Sequence, residues 1–298
     1  MQRKAFVAIV MAGLAAGAGS ADAAPLFIDA FGDAGWTSRD TRDTNGNNLA
    51  LPGNAAAIAA QINPAAALPG ALGVGTALSL DGTSDNRGKS SFGVGNPAGH
   101  ANGSALLGGF SAAYRWATSG GRSSPLKLGL DTAEVQTLTP TRTGEGDWDY
   151  VLVHLPSSIT ANVWHDESIT YSDGKWAVFR SSGLGGGRLC LDGTFGGVCG
   201  AGFVEMTLEE MDTTALPAVQ SLFDSFFVAG TEITTIEFGI GSSQRNSVNY
   251  VQALQTSIYN GGDQVIFGQA EPISEPATLA LLLAGLAGLG TLRRRGVF

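Results

Sequence analysis

Charge is scarce in this chain. Charged residues make up 14% of the 298, where about 25% is usual for a soluble domain. A Lys/Glu-rich helical protein is excluded on that ground. Basic residues are scarcer still: 17 Lys and Arg stand against 26 Asp and Glu, for a net charge of −9. No basic cluster interrupts the middle of the chain, so binding to a polyanion such as nucleic acid is disfavoured. There are two cysteines and three histidines. That excludes a cysteine-dense scaffold, and neither cysteine has the further ligands at close spacing that zinc requires. Nucleophile and phosphate motifs are missing too. Gly109-Phe110-Ser111-Ala112-Ala113 lacks the closing Gly of G-x-S-x-G and lies in a predicted strand rather than a strand-to-helix elbow. Gly88-Lys89-Ser90 echoes a phosphate loop, but Thr83 stands where its first Gly belongs. No HExxH occurs.

What remains is apolar and glycine-rich. Apolar residues are 44% of the chain, enough for a sizeable core, and there are 43 Gly and 11 Pro. Residues 1–23 read as a secretory signal peptide: Arg3 and Lys4 lead, Ala5 to Ala18 is apolar, and Ala21-Asp22-Ala23 is a small-x-small exit. The far end, residues 271–298, has three zones as well. Ser274-Glu275-Pro276 precedes an uncharged Leu/Ala/Gly run over 277–292, which Arg293, Arg294 and Arg295 close. As a helix the run would extend ~24 Å, short of a hydrocarbon core about 30 Å thick. Snorkelling arginines would help it span, and the positive-inside rule keeps them cytoplasmic with the body outside.

The string from Ser274 to Arg295 resembles the PEP-CTERM sorting signal of Gram-negative bacteria, in which Pro-Glu-Pro precedes such a helix and an Arg cluster. Here Ser274 stands in place of the first Pro, and Glu271-Pro272 adds a second Glu-Pro step upstream. The resemblance implies export, transient anchoring in the inner membrane, processing by an exosortase (a membrane cysteine transpeptidase-like enzyme), and delivery to the cell envelope or an exopolysaccharide or biofilm matrix. It covers these residues only and leaves the body unassigned. Without both end signals the body, 24–270, carries about −11, which favours Ca2+ or a neutral polysaccharide over an anionic partner.

Within the body, short apolar or alternating runs are separated by Gly, Asn, Asp and Ser, and strands are expected at 26–31, 77–80, 105–117, 126–131, 148–155, 161–165, 169–172, 175–180, 188–191, 232–240, 248–253 and 264–268. Neither face of 148–155 is wholly polar, which suits a central strand. Ser172-Asp173-Gly174 reads as a hairpin turn. Two stretches read as helical: 54–62, capped by Asn54 and ended by Asn63-Pro64, and a capping box at Thr207 to Glu210 opening one or two turns before Leu216-Pro217. The fold expected is all-β: a single β-sandwich, jelly-roll or concanavalin-like, with short helical insertions. It loosely resembles the sandwich cargo domains found above this sorting signal.

Candidate sites follow from spacing. Cys190 and Cys199 enclose eight Gly-rich residues, and export permits a disulfide between them. Thr41 to Gly46 matches part of D-x-D-x-N-G, making Asp40, Asp43 and Asn45 candidate Ca2+ ligands, against the alternative of a solvated polar loop. Asp147 with Asp149, or Glu167 with Asp173, are candidate carboxylate pairs for glycoside hydrolysis. His100, His154 and His165 are placed on or near strands and loops, and His165-Asp166-Glu167 suits either acid/base chemistry or a solvated strand end. Trp36, Trp116, Trp148, Trp164 and Trp176 serve either as a sugar platform or as core. The leading expectation is a non-catalytic exported protein; the alternatives are a carbohydrate-active hydrolase and a calcium-dependent adhesin. Deletion of residues 274–298 is expected to move the body from the membrane fraction to the medium; continued sedimentation with membranes would contradict the sorting assignment.

Overall fold

The computed structural model describes residues 25–269, except 40, 46, 50–52, 83–87, 121, 122, 124, 133–147, 182, 183 and 241–246. The signal peptide and the sorting signal, with Ser274, Glu275, Pro276 and Arg293 to Arg295, lie outside the described residues. Among the described residues no helix is long and apolar enough to cross a membrane.

In chain order the strands and helices are β1 (Leu26–Ile28), β2 (Trp36–Ser38), β3 (Thr41–Arg42), β4 (Asn48–Leu49), α1 (Ala55–Ala59), β5 (Ile62–Ala67), β6 (Thr76–Asp81), β7 (Ser90–Gly95), β8 (Ala101–Asn102), β9 (Ser111–Thr118), β10 (Leu126–Asp131), β11 (Tyr150–Leu155), β12 (Trp164–Thr170), β13 (Lys175–Arg180), β14 (Arg188–Leu189), β15 (Phe195–Gly196), α2 (Leu208–Asp212), α3 (Pro217–Phe226), β16 (Glu232–Ile240), β17 (Val248–Thr256) and β18 (Val265–Phe267). The chain is all-β with few helices, and its strands form two large sheets and one small hairpin, β3–β4.

The first sheet is centred on β17. One edge of β17 pairs with β9, which passes on to β12; the other is shared by β6 and β18, which continue to β5 and β1. The second sheet runs β15-β14-β13-β11-β10-β16-β7-β2, with β8 on the end of β16. Among the described residues pairing is antiparallel except for β1 with β18. Strand β11 lies between β10 and β13, as its two-faced sequence suggested.

Period-two alternation turns Ala112, Tyr114 and Trp116 of β9 inward, and Ile236, Phe238 and Ile240 of β16 to meet them. Rings lock the sheets together: Tyr114 to Phe238 at 5.4 Å, Phe238 to Phe267 at 5.8 Å, and Trp36 to Phe267 at 4.9 Å. Each such side chain contributes about 1.5–3 kcal/mol by burial, and edge-on ring pairs add roughly 0.5–1.5 kcal/mol.

The sequence expectations need several corrections. The Ala-rich helix stops at Ala59, and residues 62–67 form β5 instead. Pro64 fits there because β5 is an edge strand, where a missing N–H breaks no ladder. Asn54 stands at the helix start but makes no side-chain cap bond. Residues 161–165 and 169–172 are parts of one strand, β12. Gly174 does adopt φ +87°. However, the strands around that turn do not pair: β12 joins β9 in the first sheet and β13 joins β11 in the second, so the turn carries the chain between sheets. The capping box is present in both directions, with Glu210 N–H donating to Thr207 Oγ1 at 3.0 Å and Thr207 N–H to Glu210 Oε2 at 2.8 Å. Helix α3 was not expected; Pro217 opens it, and Val219, Phe223 and Phe226 form its buried face.

Cys190 and Cys199 are joined in a disulfide, with Cα atoms 5.5 Å apart. Closing so short a loop contributes roughly 2–3 kcal/mol through chain entropy. It ties β14 to the segment whose Phe203 bridges back to Cys190.

The outer face of the second sheet carries a buried charge. Glu237 is 6% exposed. Lys127 donates to its Oε1 at 2.9 Å and Ser91 Oγ to its Oε2 at 2.9 Å, and Arg39 lies near enough to act on it. Burial alone would raise the Glu237 carboxyl, but Lys127, Ser91 and Arg39 together hold it below the ordinary carboxylate range. A Cβ at Gly93 would lie 2.4 Å from Glu237 Cβ, so the neighbouring strand must carry glycine there. Because the folded carboxyl is depressed, its stabilisation is present above the unfolded pKa and is lost as pH falls through the folded one. Lys127→Met is expected to destabilise by about 2–3 kcal/mol, since it removes one charged partner and leaves the carboxylate to Ser91 and Arg39. Chemical denaturation at neutral pH measures this, and a loss below about 1 kcal/mol would show the pair to be solvent-screened.

Candidate functional site

Two places gather the residues that carry chemistry. The first lies between the sheets, along the inner face of the edge strand β12. Register sets His165 opposite Trp116 and Glu167 opposite Tyr114. The His165 ring stacks on Trp116 at 4.7 Å, and the Trp116 indole N–H donates to Glu167 Oε1 at 3.2 Å. Tyr114 Oη and His154 Nδ1 share a hydrogen bond of 2.9 Å. His154 also meets Trp176 edge-on at 5.4 Å.

Burial dominates the electrostatics of this cluster. It lowers His154 to about 4, with Asp173 pulling weakly the other way. Burial likewise raises Glu167, opposed by the Trp116 hydrogen bond and by His165, while Asp166 pushes it further up. The Tyr114 phenol is raised well above its ordinary value by burial and by Glu167. The His154 imidazole is therefore kept neutral at ordinary pH, and Glu167 is shifted towards its protonated form.

The second place is the outer face of the second sheet around Trp148. A Cβ at Gly129 would lie 2.8 Å from Trp148 Cδ1 and 3.0 Å from Thr235 Cβ, so the half-buried indole rests where a side chain would otherwise stand. Asp131, two residues along β10, faces Glu232 of β16 across the ladder.

The candidate residues distribute as follows. Trp36, Trp116 and Trp176 are core; Trp148 and Trp164 are half-buried. Trp164 donates to the Leu72 carbonyl at 3.0 Å, and Arg115 lies 5.2 Å over its ring. Asp149 is buried and accepts from Thr132 N–H and Oγ1 at 3.1 and 2.9 Å; Asp147 lies outside the described residues. Asp173 is exposed and accepts from Gly174 N–H at 2.8 Å, and it is not among the charges acting on Glu167. Asp43 closes the β3–β4 turn: its Oδ1 accepts from the N–H groups of Asn45 and Asn47, and its Oδ2 from Asn47 Nδ2, each at 2.8 Å. Asp40 lies outside the described residues. Among the described residues no three His, Cys, Asp or Glu side chains are grouped to hold a metal ion.

Glu237, Lys127, Thr235, Asp131 and Glu232 escaped the sequence reading. Glu237 was detectable, since a carboxylate inside the apolar run 232–240 demands a partner.

The His154 geometry fixes a pH response. Its depressed pKa means that stability is whole above about 6.5 and falls as pH drops towards 4, by up to about 3 kcal/mol. The raised Glu167 acts oppositely, its stabilisation fading as pH rises through its folded pKa. His154→Gln keeps a polar partner for Tyr114 and is expected to flatten the denaturation-midpoint profile between pH 6.5 and 4. An unchanged slope would place the acid sensitivity elsewhere.

Comparison with known proteins gives no matching family model, no matching curated protein and no matching solved structure.

Proposed function

We propose that this chain is an exported, non-catalytic surface or extracellular-matrix protein of a Gram-negative bacterium, sorted by an exosortase-like system and holding exopolysaccharide on a jelly-roll or concanavalin-like sandwich. The end signals support the sorting half of this reading. The observation that carries the binding half is how the carboxylates are used. Asp149 is bonded to Thr132, Asp173 caps its own turn, and Glu167 accepts from the Trp116 indole. Meanwhile Trp148 and Trp164 are left half-buried on strand-borne surfaces. Glycan rings stack on such indoles, which offer large apolar faces with one polar edge.

The raised Glu167 carboxyl favours a second reading, a glycoside hydrolase in which it is the general acid. One experiment separates the two, and the calcium-dependent adhesin with them. The purified body is incubated with exopolysaccharide, with and without EDTA, and both retention and released reducing ends are measured. Retention without turnover, indifferent to EDTA, is expected. Turnover that Glu167→Gln abolishes would instead establish the hydrolase, and retention lost with EDTA the adhesin.

A further inference from the structure

The Asp131 end of the second sheet's outer face holds an unbalanced charge. Asp131 is exposed and Glu232 half-buried, and they stand directly opposite each other at the ends of β10 and β16. Like charges in that relation destabilise a sheet. Ion pairs of the same sheet lie elsewhere: Lys127 is taken by Glu237, and Arg188, further along, by Glu205. Among the described residues neither Asp131 nor Glu232 has a cationic partner. Asp131 is raised by burial and then by Asp149 and Glu232, so the negative potential is felt at the site itself.

Two further groups converge there. Trp148 lies over Gly129, the outward-facing neighbour of Asp131 on β10. Thr235, which register places opposite Gly129, is 1% exposed, and its hydroxyl has no hydrogen-bond partner among the described residues. Its Cβ and the Trp148 ring approach the same point above Gly129. A buried hydroxyl without a partner destabilises the fold, and a ligand's polar group would relieve that. Gly99 leaves room for the Glu232 carboxylate, which a Cβ there would strike.

From this we infer a binding subsite for an amino sugar, formed by Trp148, Thr235, Asp131 and Glu232. A pyranose ring stacks on the indole, its free ammonium faces the two carboxylates, and a ring hydroxyl bonds to Thr235. The indole face adds its own attraction for a cation within about 6 Å. A uronate would be repelled, and an N-acetylated sugar would lose the charge interaction. This inference rests on the polysaccharide-binding reading and names the sugar chemistry it prefers.

The test is calorimetric titration of the body with chitosan oligomers, chitin oligomers of equal length, and oligouronate. Chitosan oligomers are expected to bind about tenfold or more tightly than chitin oligomers near pH 6. The preference should shrink with added salt. Trp148→Ala should weaken both chitosan and chitin oligomers; the double variant Asp131→Asn/Glu232→Gln should remove only the preference, and Thr235→Val is an independent probe of the hydroxyl contact. Thermal unfolding of each variant controls for folding. Equal affinity for chitosan and chitin oligomers would overturn the ammonium assignment. Binding that survives Trp148→Ala and the double variant would overturn the location while leaving polysaccharide binding intact. Failure of exopolysaccharide and of all three oligomers to bind would overturn both.

Discussion

Strand β16 constrains both faces of the second sheet at once. Its alternation sends Ile236, Phe238 and Ile240 into the core and leaves Thr235 and Glu237 on the other side. A carboxylate placed in the middle of such a strand would cost several kcal/mol were it unpaired. Lys127 reaches it from β10 and Ser91 from β7, and Arg39 approaches from the segment after β2. The pairing in turn determines what surrounds it. A Cβ at Gly95 would lie 2.5 Å from the Arg39 guanidinium, so that strand stays bare where the arginine crosses it. Thr41 Oγ1 donates to the Ser91 carbonyl at 3.3 Å, which holds β3 to the same edge. The cations are gathered around Glu237, and the Asp131–Glu232 end of the sheet is left acidic.

The inter-sheet cluster and the outer face thus differ in kind. At the first, burial dominates: His154 is kept neutral, Glu167 is pushed towards its protonated form, and the polar groups are satisfied in two pairs, indole with carboxyl and phenol with imidazole. The first pair ties the edge strand β12 to β9, and the second ties β9 to β11 of the other sheet. At the second, an indole and two carboxylates meet at a partly open surface, beside a buried hydroxyl that has no partner among the described residues. Binding calls for groups not already engaged with each other, and the outer face has them.

Much of the fold was legible because its signals are local. The bounds of 126–131, 175–180 and 232–240 match the strands, since each is a dense apolar run with clear punctuation. The Thr207–Glu210 cap was legible because both partners lie within one turn. What failed depended on distant partners. Ser90–Gly95 has two serines and two glycines and looks like a loop; it is a strand because β16 and β2 pair with it. The turn at Ser172-Asp173-Gly174 was visible, but its sequence does not say that β12 and β13 leave for different sheets. The disulfide was readable from two cysteines nine positions apart. The Trp148 site was not, since Gly129, Asp131, Thr235 and Glu232 come together only through the β10–β16 register.

The most direct test of the account is a crystal structure of the body grown with a bound oligosaccharide. A sugar ring on Trp148, on the outer face of the second sheet and with its glycosidic bonds intact, is the predicted result. A sugar lodged between the sheets against Glu167 and His165, cleaved or distorted at the bond beside the carboxyl, would contradict it.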